Sequence, residues 1–306
     1  MSELWLAPLR GVTIRTFRAA FAEPLREAGF QGAFAPFIPA NPGIRVNDRM
    51  LDDLRPFPTE ACDSRLLPVV PQVITKDPAS MRVLLKGFKE RGFVRADLNA
   101  GCPFPMIRRR GRGSGLFKTP EVLERLLEAG CEELGEGRFS LKIRLGLERP
   151  DELFQLMPMI NRYPLAVVTV HARTARQMYD GECNWKEFEK IAEICKNPLM
   201  VNGDLPFAWG QSPKEFPRGQ SPFAGGQSPK LAMIGRSFVR ALGGRDDARE
   251  LLLRYIELSR AELSGDRPLL GRMKELLAYW CEWPKWRRLW PMLKICRTTE
   301  ELQSLV

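Results

Sequence analysis

Eight short apolar runs, most of them separated by helix-like segments, constrain the fold of this 306-residue chain more than any other feature. The runs cover residues 4–7, 32–37, 67–73, 94–99, 140–144, 166–171, 199–202 and 231–235. Apolar side chains recur three and four residues apart, as in amphipathic helices, in residues 15–28, 78–91, 120–134, 151–161 and 185–195. Eight strands alternating with helices predict an α/β fold, a closed (β/α)8 TIM barrel, which typically takes roughly 250 residues. A doubly wound sheet is disfavoured because no Gly-x-Gly-x-x-Gly follows the first run.

Two regions depart from this alternation. Residues 205–230 contain Gln-Ser-Pro three times, beginning at Gln211, Gln220 and Gln227, and this composition cannot carry a regular helix. We interpret them as a replaced or degraded seventh helix that is partly disordered, and not as a domain linker. Residues 245–306 have no strand-like run and show helical apolar spacing, which indicates a bundle of three or four helices. The predicted domains are a barrel at residues 1–243 and a helical domain at residues 244–306.

The helical region also carries a stripe of tryptophans. Trp283, Trp286 and Trp290 follow one another at three- and four-residue steps, and core packing is the preferred interpretation of that spacing. The positions between them form a basic outer face that could bind phosphates or simply be solvated. It consists of Lys285, Arg287, Arg288, Lys294 and Arg297.

Polar or reactive side chains cluster where seven of the eight runs end. They are Pro8 and Arg10, Gln72, Asn99 and Cys102, Lys142 and Arg144, His171 and Arg173, Asn202 and Asp204, and Gly235 and Arg236. The carboxyl ends of barrel strands form one rim, and active sites of this fold lie there. Any one of these residues alone would be interpreted as a structural hydrogen-bond partner. Their coincidence at seven strand ends predicts an active site.

Two of these strand ends predict a site for a phosphorylated cofactor. Gly235-Arg236 offers backbone N–H groups at a strand–helix junction together with a guanidinium. Asn202-Gly203-Asp204 ends the preceding run, where Gly203 lets the backbone approach a ligand. In TIM barrels the phosphate site typically uses the loops after the seventh and eighth strands, where both motifs lie.

Lys142 and His171 are expected to face an anionic or polar group. Lys142 alternates with Leu141 and Ile143 and therefore points into the barrel mouth, where an unpaired ammonium is costly. A reduced flavin, which carries negative charge on its pyrimidine ring, would satisfy it. His171 is the single histidine of the chain and lies close to Arg173, which favours contact with an anion.

Cys102 allows three interpretations. As a nucleophile it would need a base and a lowered pKa, and the single histidine could serve only if the fold brought it close. As a metal ligand it has no cysteine companion nearby. As a general acid it needs an intact thiol, which the ordinary pKa of about 8.5 provides at neutral pH. Pro103 restricts the local backbone so that the sulfur is placed reproducibly, and we favour the acid role.

The net charge and the number of cysteines limit the classes of partner and the cellular compartment that the sequence predicts. The net charge of +10 points to nucleic acid first and an anionic membrane surface second, although a merely basic protein would show it too. The basic, glycine-rich residues 108–115 suggest a mobile polycationic flap beside Cys102. One histidine and seven scattered cysteines argue against a metal site. The odd cysteine count without a secretion signal predicts the cytoplasm, and no apolar run is long enough to span a bilayer.

These motifs resemble the tRNA-dihydrouridine synthase family. The resemblance covers almost the whole chain, and the combination of Asn-x-Gly-Cys-Pro, Lys-Ile-Arg and Asn-Gly-Asp is highly specific. It is carried by Ala7-Pro8-Leu9, Pro71-Gln72-Val73, Asp97-Leu98-Asn99-Ala100-Gly101-Cys102-Pro103, Gly113-Ser114-Gly115-Leu116, Leu141-Lys142-Ile143-Arg144, Val170-His171-Ala172-Arg173, Val201-Asn202-Gly203-Asp204 and Met233-Ile234-Gly235-Arg236.

The resemblance implies FMN as cofactor and NADPH as reductant, with hydride delivered to C6 of a uridine flipped out of tRNA and a proton to C5 from Cys102. It implies a flavin site made of Pro8, Leu9, Arg10, Gln72, Asn99, Lys142, His171, Asn202, Gly203, Asp204, Gly235 and Arg236. Arg173 is expected to contact the flavin or the target base. The tRNA is expected on the helical domain and on Arg108, Arg109, Arg110 and Arg112. We expect a monomer, with neither a membrane nor a metal as partner.

Two other functions stay open at this point. A barrel flavoenzyme could act on a free small molecule such as a pyrimidine or an enone, but it would need neither the +10 charge nor a basic helical tail. A non-catalytic RNA-binding protein would be expected to have lost Cys102, Lys142 or the Gly235-Arg236 pair, and all of them are present.

Overall fold

The computed structural model describes residues 3–55, 66–209 and 230–306, and within them every predicted run contributes to one parallel sheet. The strands are β1 Glu3–Leu6, β2 Phe30–Phe34, β3 Ile38–Pro39, β4 Val69–Val70, β5 Gln72–Ile74, β6 Ala96–Asn99, β7 Phe139–Gly146, β8 Val168–Thr174, β9 Leu199–Asn202 and β10 Leu231–Ile234. Their hydrogen-bonded order is β3-β5-β6-β7-β8-β9-β10-β1-β2-β4.

A proline explains how this order closes into an eight-stranded barrel. β4 and β5 are one stretch of chain interrupted at Pro71, which has no N–H to give to the ladder. β4 pairs with β2, and β5 pairs with β6. Because β4 and β5 adjoin at Pro71, the two ends of the sheet meet there and the barrel closes. β3 only extends the sheet beside β5. The predicted (β/α)8 barrel is confirmed.

Helices fill the connections between the strands. They are α1 Arg15–Ala20, α2 Ala22–Glu27, α3 Pro78–Lys89, α4 Pro105–Arg108, α5 Pro120–Leu134, α6 Glu152–Ile160, α7 Trp185–Ile194, α8 Arg236–Leu242, α9 Ala248–Arg260, α10 Asp266–Trp280, α11 Pro284–Ile295 and α12 Thr299–Leu305, with 3-10 helices at Asp52–Leu54 and Gly113–Lys118. All five predicted helices are present. Residues 15–28 break into α1 and α2 at Phe21, because Pro24 cannot donate to the carbonyl of Ala20.

The chain after α8 is helical to its end, as predicted, and it packs on the barrel helices α1 and α8. Phe17 of α1 meets Tyr255 of α9 edge to face at 6.2 Å, and Phe21 meets Trp280 of α10 at 6.4 Å. These residues belong to the same hydrophobic cluster as the barrel core. The division into two domains at residue 243 stays a prediction.

Two tryptophans of the stripe, together with Trp280 of α10, do more than pack. The indole N–H groups of Trp280, Trp283 and Trp286 donate to the carbonyls of Val239, Arg240 and Gly243 at 2.9, 2.7 and 2.7 Å, respectively. These carbonyls lie at the end of α8, where the last helical carbonyls have no partner within the helix. The tryptophans therefore cap the helix that follows the eighth barrel strand.

The Gln-Ser-Pro repeats, for which we predict a degraded helix, lie in residues 210–229 and so outside the described residues. Just before them, Trp209 packs on Phe238 of α8 and donates its indole N–H to the carbonyl of Ala241 at 3.0 Å. Among the described residues, no helix has the length and apolar character that crossing a bilayer requires.

Candidate active site

A cavity of about 1050 Å³ opens at the carboxyl ends of the barrel strands. Thirteen of the predicted site residues line it: Pro8, Leu9, Arg10, Asn99, Cys102, Arg109, Lys142, His171, Asn202, Gly203, Asp204, Gly235 and Arg236. They follow six different strands, namely β1, β6, β7, β8, β9 and β10. The structure thus brings these residues together at one rim, and the individual roles assigned to them stay predictions.

Parallel register explains why residues so far apart in sequence meet. Asn99 at the end of β6 lies opposite Lys142 of β7, and His171 of β8 lies opposite Asn202 of β9. Side chains two residues apart point to the same side of a strand. Residues at paired positions of neighbouring strands therefore lie side by side at the rim. Lys142 donates from Nζ to Asn202 Oδ1 at 2.8 Å, and Asn202 Nδ2 donates to the carbonyl of Met233 at 2.9 Å.

The loop after β1 is shaped by a threonine. Thr13 Oγ1 donates to the carbonyl of Ala7 at 2.9 Å and accepts from the backbone N–H of Leu9 at 2.7 Å. These bonds turn the chain back at the strand end, so that Pro8, Leu9 and Arg10 face the cavity.

Cys102 lies at the cavity wall, 7% exposed, with both of its backbone polar groups fixed. Its N–H donates to Asn99 Oδ1 at 2.9 Å, and its carbonyl accepts from the N–H and Oγ of Ser114 at 3.1 and 2.8 Å. Burial raises the pKa of the Cys102 thiol above its ordinary value. The thiol is therefore held in its protonated form, which suits a proton donor and not a nucleophile.

A chain of side-chain amides continues from Cys102 into the barrel. Asn99 Nδ2 donates to Gln72 Oε1 at 2.8 Å, and Gln72 Nε2 donates to Asp97 Oδ2 at 2.7 Å. The backbone N–H of Cys102 only donates, so Asn99 turns its oxygen to that N–H and its NH2 to Gln72, and Gln72 in turn directs its NH2 to Asp97. Asp97 is fully buried, its Oδ1 has no partner, and burial raises the pKa of Asp97 to about 7.

The cavity wall is strongly cationic. Burial first, and the charge of Arg144 second, lower the pKa of Lys142 to about 8, so that its ammonium form still predominates at neutral pH. Burial, followed by the cations Arg144, Lys142, Arg173 and Arg236, holds the pKa of His171 well below 6.5. The His171 imidazole is therefore neutral. The positive charge that an anionic ligand would meet at this wall comes from the cations around His171.

Two glycines let the backbone line this wall. A Cβ on Gly235 would lie 2.8 Å from Ala7 Cβ, which would push β10 and β1 apart. Gly203 has φ +148°, and a Cβ there would lie 2.7 Å from Cys183 Sγ. Neither position can carry a side chain without displacing its neighbours, which keeps both strand ends open toward a ligand.

Five predicted residues do not line the cavity. Gln72 is fully buried beneath it, in the amide chain, and Arg173 is 2% exposed, paired with Asp204 and bonded from Nε to the carbonyl of Gly181 at 3.2 Å. The geometry therefore does not support direct contact of either side chain with a ligand. The other three are Arg108, Arg110 and Arg112.

The basic residues 108–112 are attached to a folded block, whereas a free flap was expected. Gly113–Lys118 forms a 3-10 helix whose first four residues are buried, and a Cβ on Gly113 would lie 2.8 Å from Cys102 Cβ. Arg109 and Arg110 are exposed, and Arg109 also lines the cavity, whereas Arg108 and Arg112 are partly buried. Arg108 lies 3.9 Å from Glu148.

Several lining residues were missed from the sequence. The ring of Tyr179 lies beneath two guanidinium groups. The ring centre is 4.3 Å from the guanidinium carbon of Arg236 and 5.3 Å from that of Arg144. Glu275 and Tyr279 reach the cavity from α10. Tyr179 stands in an irregular loop with no periodic signal, whereas the four-residue spacing of Glu275 and Tyr279 could have marked one helix face.

Comparison with known sequences gives consistent matches. The family described as Dihydrouridine synthase (Dus) matches residues 5–209. A probable tRNA-dihydrouridine synthase of Staphylococcus epidermidis is 30% identical over 206 residues, 66% of this chain and 60% of that protein. The tRNA-dihydrouridine(16) synthase of Vibrio parahaemolyticus is 29% identical over 229 residues, 70% of this chain and 67% of that protein. The chain spans about three-fifths of the length of the Staphylococcus relative.

Comparison with solved structures supports the barrel. An old yellow enzyme homologue from Zymomonas mobilis matches with a TM-score of 0.51 and 13% identity, covering 78% of this chain and 85% of that chain. Morphinone reductase matches with a TM-score of 0.50 and 11% identity, covering 78% and 83%. At such identities the likeness concerns the fold.

Proposed function

The chain belongs to the dihydrouridine synthase family, and on that premise we propose that it reduces the C5=C6 bond of uridines in tRNA to 5,6-dihydrouridine, with FMN as cofactor and NADPH as reductant. The observation that carries the proposal is the juxtaposition of a buried, protonated thiol with a cationic wall in one cavity. The alternatives are reduction of a free small molecule and RNA binding without catalysis.

The residues of the cavity fit FMN. Arg236 and the close-packed backbone at Gly203 and Gly235 suit its phosphate, because a guanidinium and bare backbone N–H groups both donate to phosphate oxygens. The Lys142 ammonium suits the negative charge of the reduced ring. A cavity of about 1050 Å³ has room for a flavin with a base beside it. When bound, FMN supplies hydride, and in this proposal C6 of uracil receives it.

Cys102 completes the reaction as general acid. Addition of hydride at C6 leaves negative charge on C5 and the adjoining carbonyl of uracil. The Cys102 thiol gives its proton to C5, and its fixed backbone holds the sulfur at one position while this happens. The cations Lys142 and Arg144 line the same cavity and offset the negative charge that develops on the base.

The basic surface suits tRNA. Arg109 and Arg110 are exposed, and Arg109 lines the cavity. The predicted basic cluster is exposed as well: it consists of Lys285, Arg287, Arg288 and Lys294 on α11 and Arg297 just after it. Phosphate contacts of this kind bind RNA with a strong dependence on salt. Reversing both charges with Arg109→Glu/Arg110→Glu should weaken tRNA binding and lower its salt slope by about 1 for each phosphate that is no longer bound. Flavin content should not change.

A matched control is available for that charge reversal. Arg125→Glu/Arg138→Glu makes the same change in net charge at exposed positions on α5 and before β7, away from the cavity. An equal drop in tRNA affinity in both double variants would assign the effect to total charge and would exclude a contact at residues 109–110.

The proposed function is tested by incubating the purified chain with FMN, NADPH and unmodified tRNA and counting dihydrouridine by mass spectrometry of the nucleosides. We expect dihydrouridine in tRNA, and no turnover of free uridine under the same conditions. Turnover of free uridine at a comparable rate would favour the small-molecule alternative. Binding of tRNA without any product, in protein that carries flavin, would favour the non-catalytic one.

A further inference from the structure

Two large apolar side chains stand exposed at the edge of the cavity. Phe104 is 45% exposed and Met106 is 67% exposed, and both line the cavity just beyond Cys102. A cavity that takes only a small ligand gives no reason to keep a phenylalanine and a methionine in water at its entrance. Exposed apolar groups beside a functional cavity are typical of a contact with a partner.

The charge around this pair indicates the chemistry of the partner. Arg109 and Arg110 directly follow α4, both are exposed, and in the described part of the chain neither forms an ion pair. We call Phe104, Met106, Arg109 and Arg110 the α4 ledge. Apolar groups flanked by unpaired guanidinium groups match a nucleic acid strand, with bases against the former and phosphates against the latter.

The α4 ledge and Cys102 belong to one packed block of the structure. The carbonyl of Arg108 would lie 2.6 Å from a Cβ on Gly115, so α4 packs directly on the 3-10 helix Gly113–Lys118. Ser114 of that helix binds the carbonyl of Cys102. Phe104 is also supported from the cavity side, since its ring centre lies 6.5 Å from that of Tyr179. The backbone that carries the α4 ledge is therefore held close to that of Cys102.

On this basis, and resting on the proposed function, we propose that the α4 ledge acts as a wedge against the RNA strand: Phe104 and Met106 contact the base next to the reduced uridine and fill the space that the uridine leaves. A base held beside Cys102 has left its stack, which costs a few kcal/mol. Proteins that distort nucleic acids insert Phe or Met side chains between bases to offset such a cost. Arg109 and Arg110 bind the adjoining phosphates.

The double variant Phe104→Ala/Met106→Ala tests the wedge. In single-turnover reactions at saturating tRNA, we expect its rate of dihydrouridine formation to fall about 5- to 100-fold, the range typical of removing an aromatic side chain on which a base stacks. The rates are compared at equal flavin content, so that a loss of cofactor is separated from a loss of the wedge. The control is Val94→Ala, which removes an equally exposed apolar group (63%) before β6, at the opposite end of the barrel.

A change in the RNA makes the test specific. The reduced uridine is first mapped with the wild type, and its neighbour is then replaced by an abasic nucleotide, which leaves nothing to contact the wedge. We expect the wild type to slow to the rate of the double variant, and the double variant to slow no further. A double variant as fast as the wild type, or two rate reductions that multiply, would overturn the wedge while leaving the proposed function in place. A wild type that forms no dihydrouridine would remove both.

Discussion

Asp97→Asn probes the buried amide chain beneath the cavity. Asp97 Oδ2 accepts from Gln72 Nε2, and Oδ1 has no partner. Asparagine can keep the accepting oxygen toward Gln72 and place its NH2 where the unpartnered oxygen lies. The orientation of the Gln72 and Asn99 amides is then preserved, and so is the support of the Cys102 backbone. We therefore expect the variant to fold, to bind flavin and to keep its activity.

The expected change is in how stability depends on pH. Burial raises the pKa of Asp97 from 3.8 in the unfolded chain to about 7 in the fold. Between these values the unfolded chain releases a proton that the folded chain keeps, so the free energy of unfolding of the wild type falls as pH rises. The slope is at most about 1.4 kcal/mol per pH unit and the full loss at most about 4 kcal/mol, reached above pH 7. Asp97→Asn removes this loss.

The measurement is urea unfolding followed by circular dichroism at pH 5, 6, 7 and 8. Relative to the wild type, Asp97→Asn should gain stability steadily from pH 5 to 7 and gain little more at pH 8. Asp246→Asn, at an exposed carboxyl group, serves as the control and should show no such trend. A difference between Asp97→Asn and the wild type that is the same at every pH would refute the reasoning.

Three further predictions concern the Cys102 thiol, the end of α8 and the glycine that packs on Cys102. Because burial raises the pKa of the Cys102 thiol, alkylation by iodoacetamide at pH 7.5, followed by peptide mass spectrometry, should be slower in the folded than in the urea-unfolded protein. Equal labelling rates at that pH would contradict this. Trp286→Phe leaves a buried carbonyl at the end of α8 without a donor. This should lower the free energy of unfolding, measured in urea, by about 1–3 kcal/mol. Trp283→Phe, where the indole is 41% exposed, should cost less because water replaces the donor. Gly113→Ala should displace the thiol and lower dihydrouridine yield, whereas Gly137→Ala, which has a similar positive φ and open space, should affect stability alone.

The fold could be predicted from the sequence because the barrel depends on periodic signals. Eight β-rich runs and the residues at their ends were sufficient to find the rim, since parallel strands carry their carboxyl ends to one side. Gln72 was expected in the flavin site because it stands at the end of a run, but the position in the sequence does not give depth. Gln72 is fully buried beneath the cavity, and its amide is already bonded to Asp97 and Asn99.

Residues that reach the cavity from irregular or distant segments could not be predicted. Tyr179 lies in a loop, and Glu275 belongs to a helix more than a hundred residues after most of the strand ends. Arg173 is at the end of β8, as the pattern predicts, but its guanidinium turns to Asp204 and Gly181. Which partner an arginine takes depends on loops whose course the sequence pattern does not determine.

In the proposed reaction the Cys102 thiol gives a proton to a uridine held in this cavity. The most direct test compares dihydrouridine formation in tRNA by the wild type and by Cys102→Ala at equal flavin content. We expect both proteins to be yellow and to oxidise NADPH, and the variant to form product about 100-fold or more slowly, the usual contribution of a general acid. A variant that forms dihydrouridine as fast as the wild type would contradict the account.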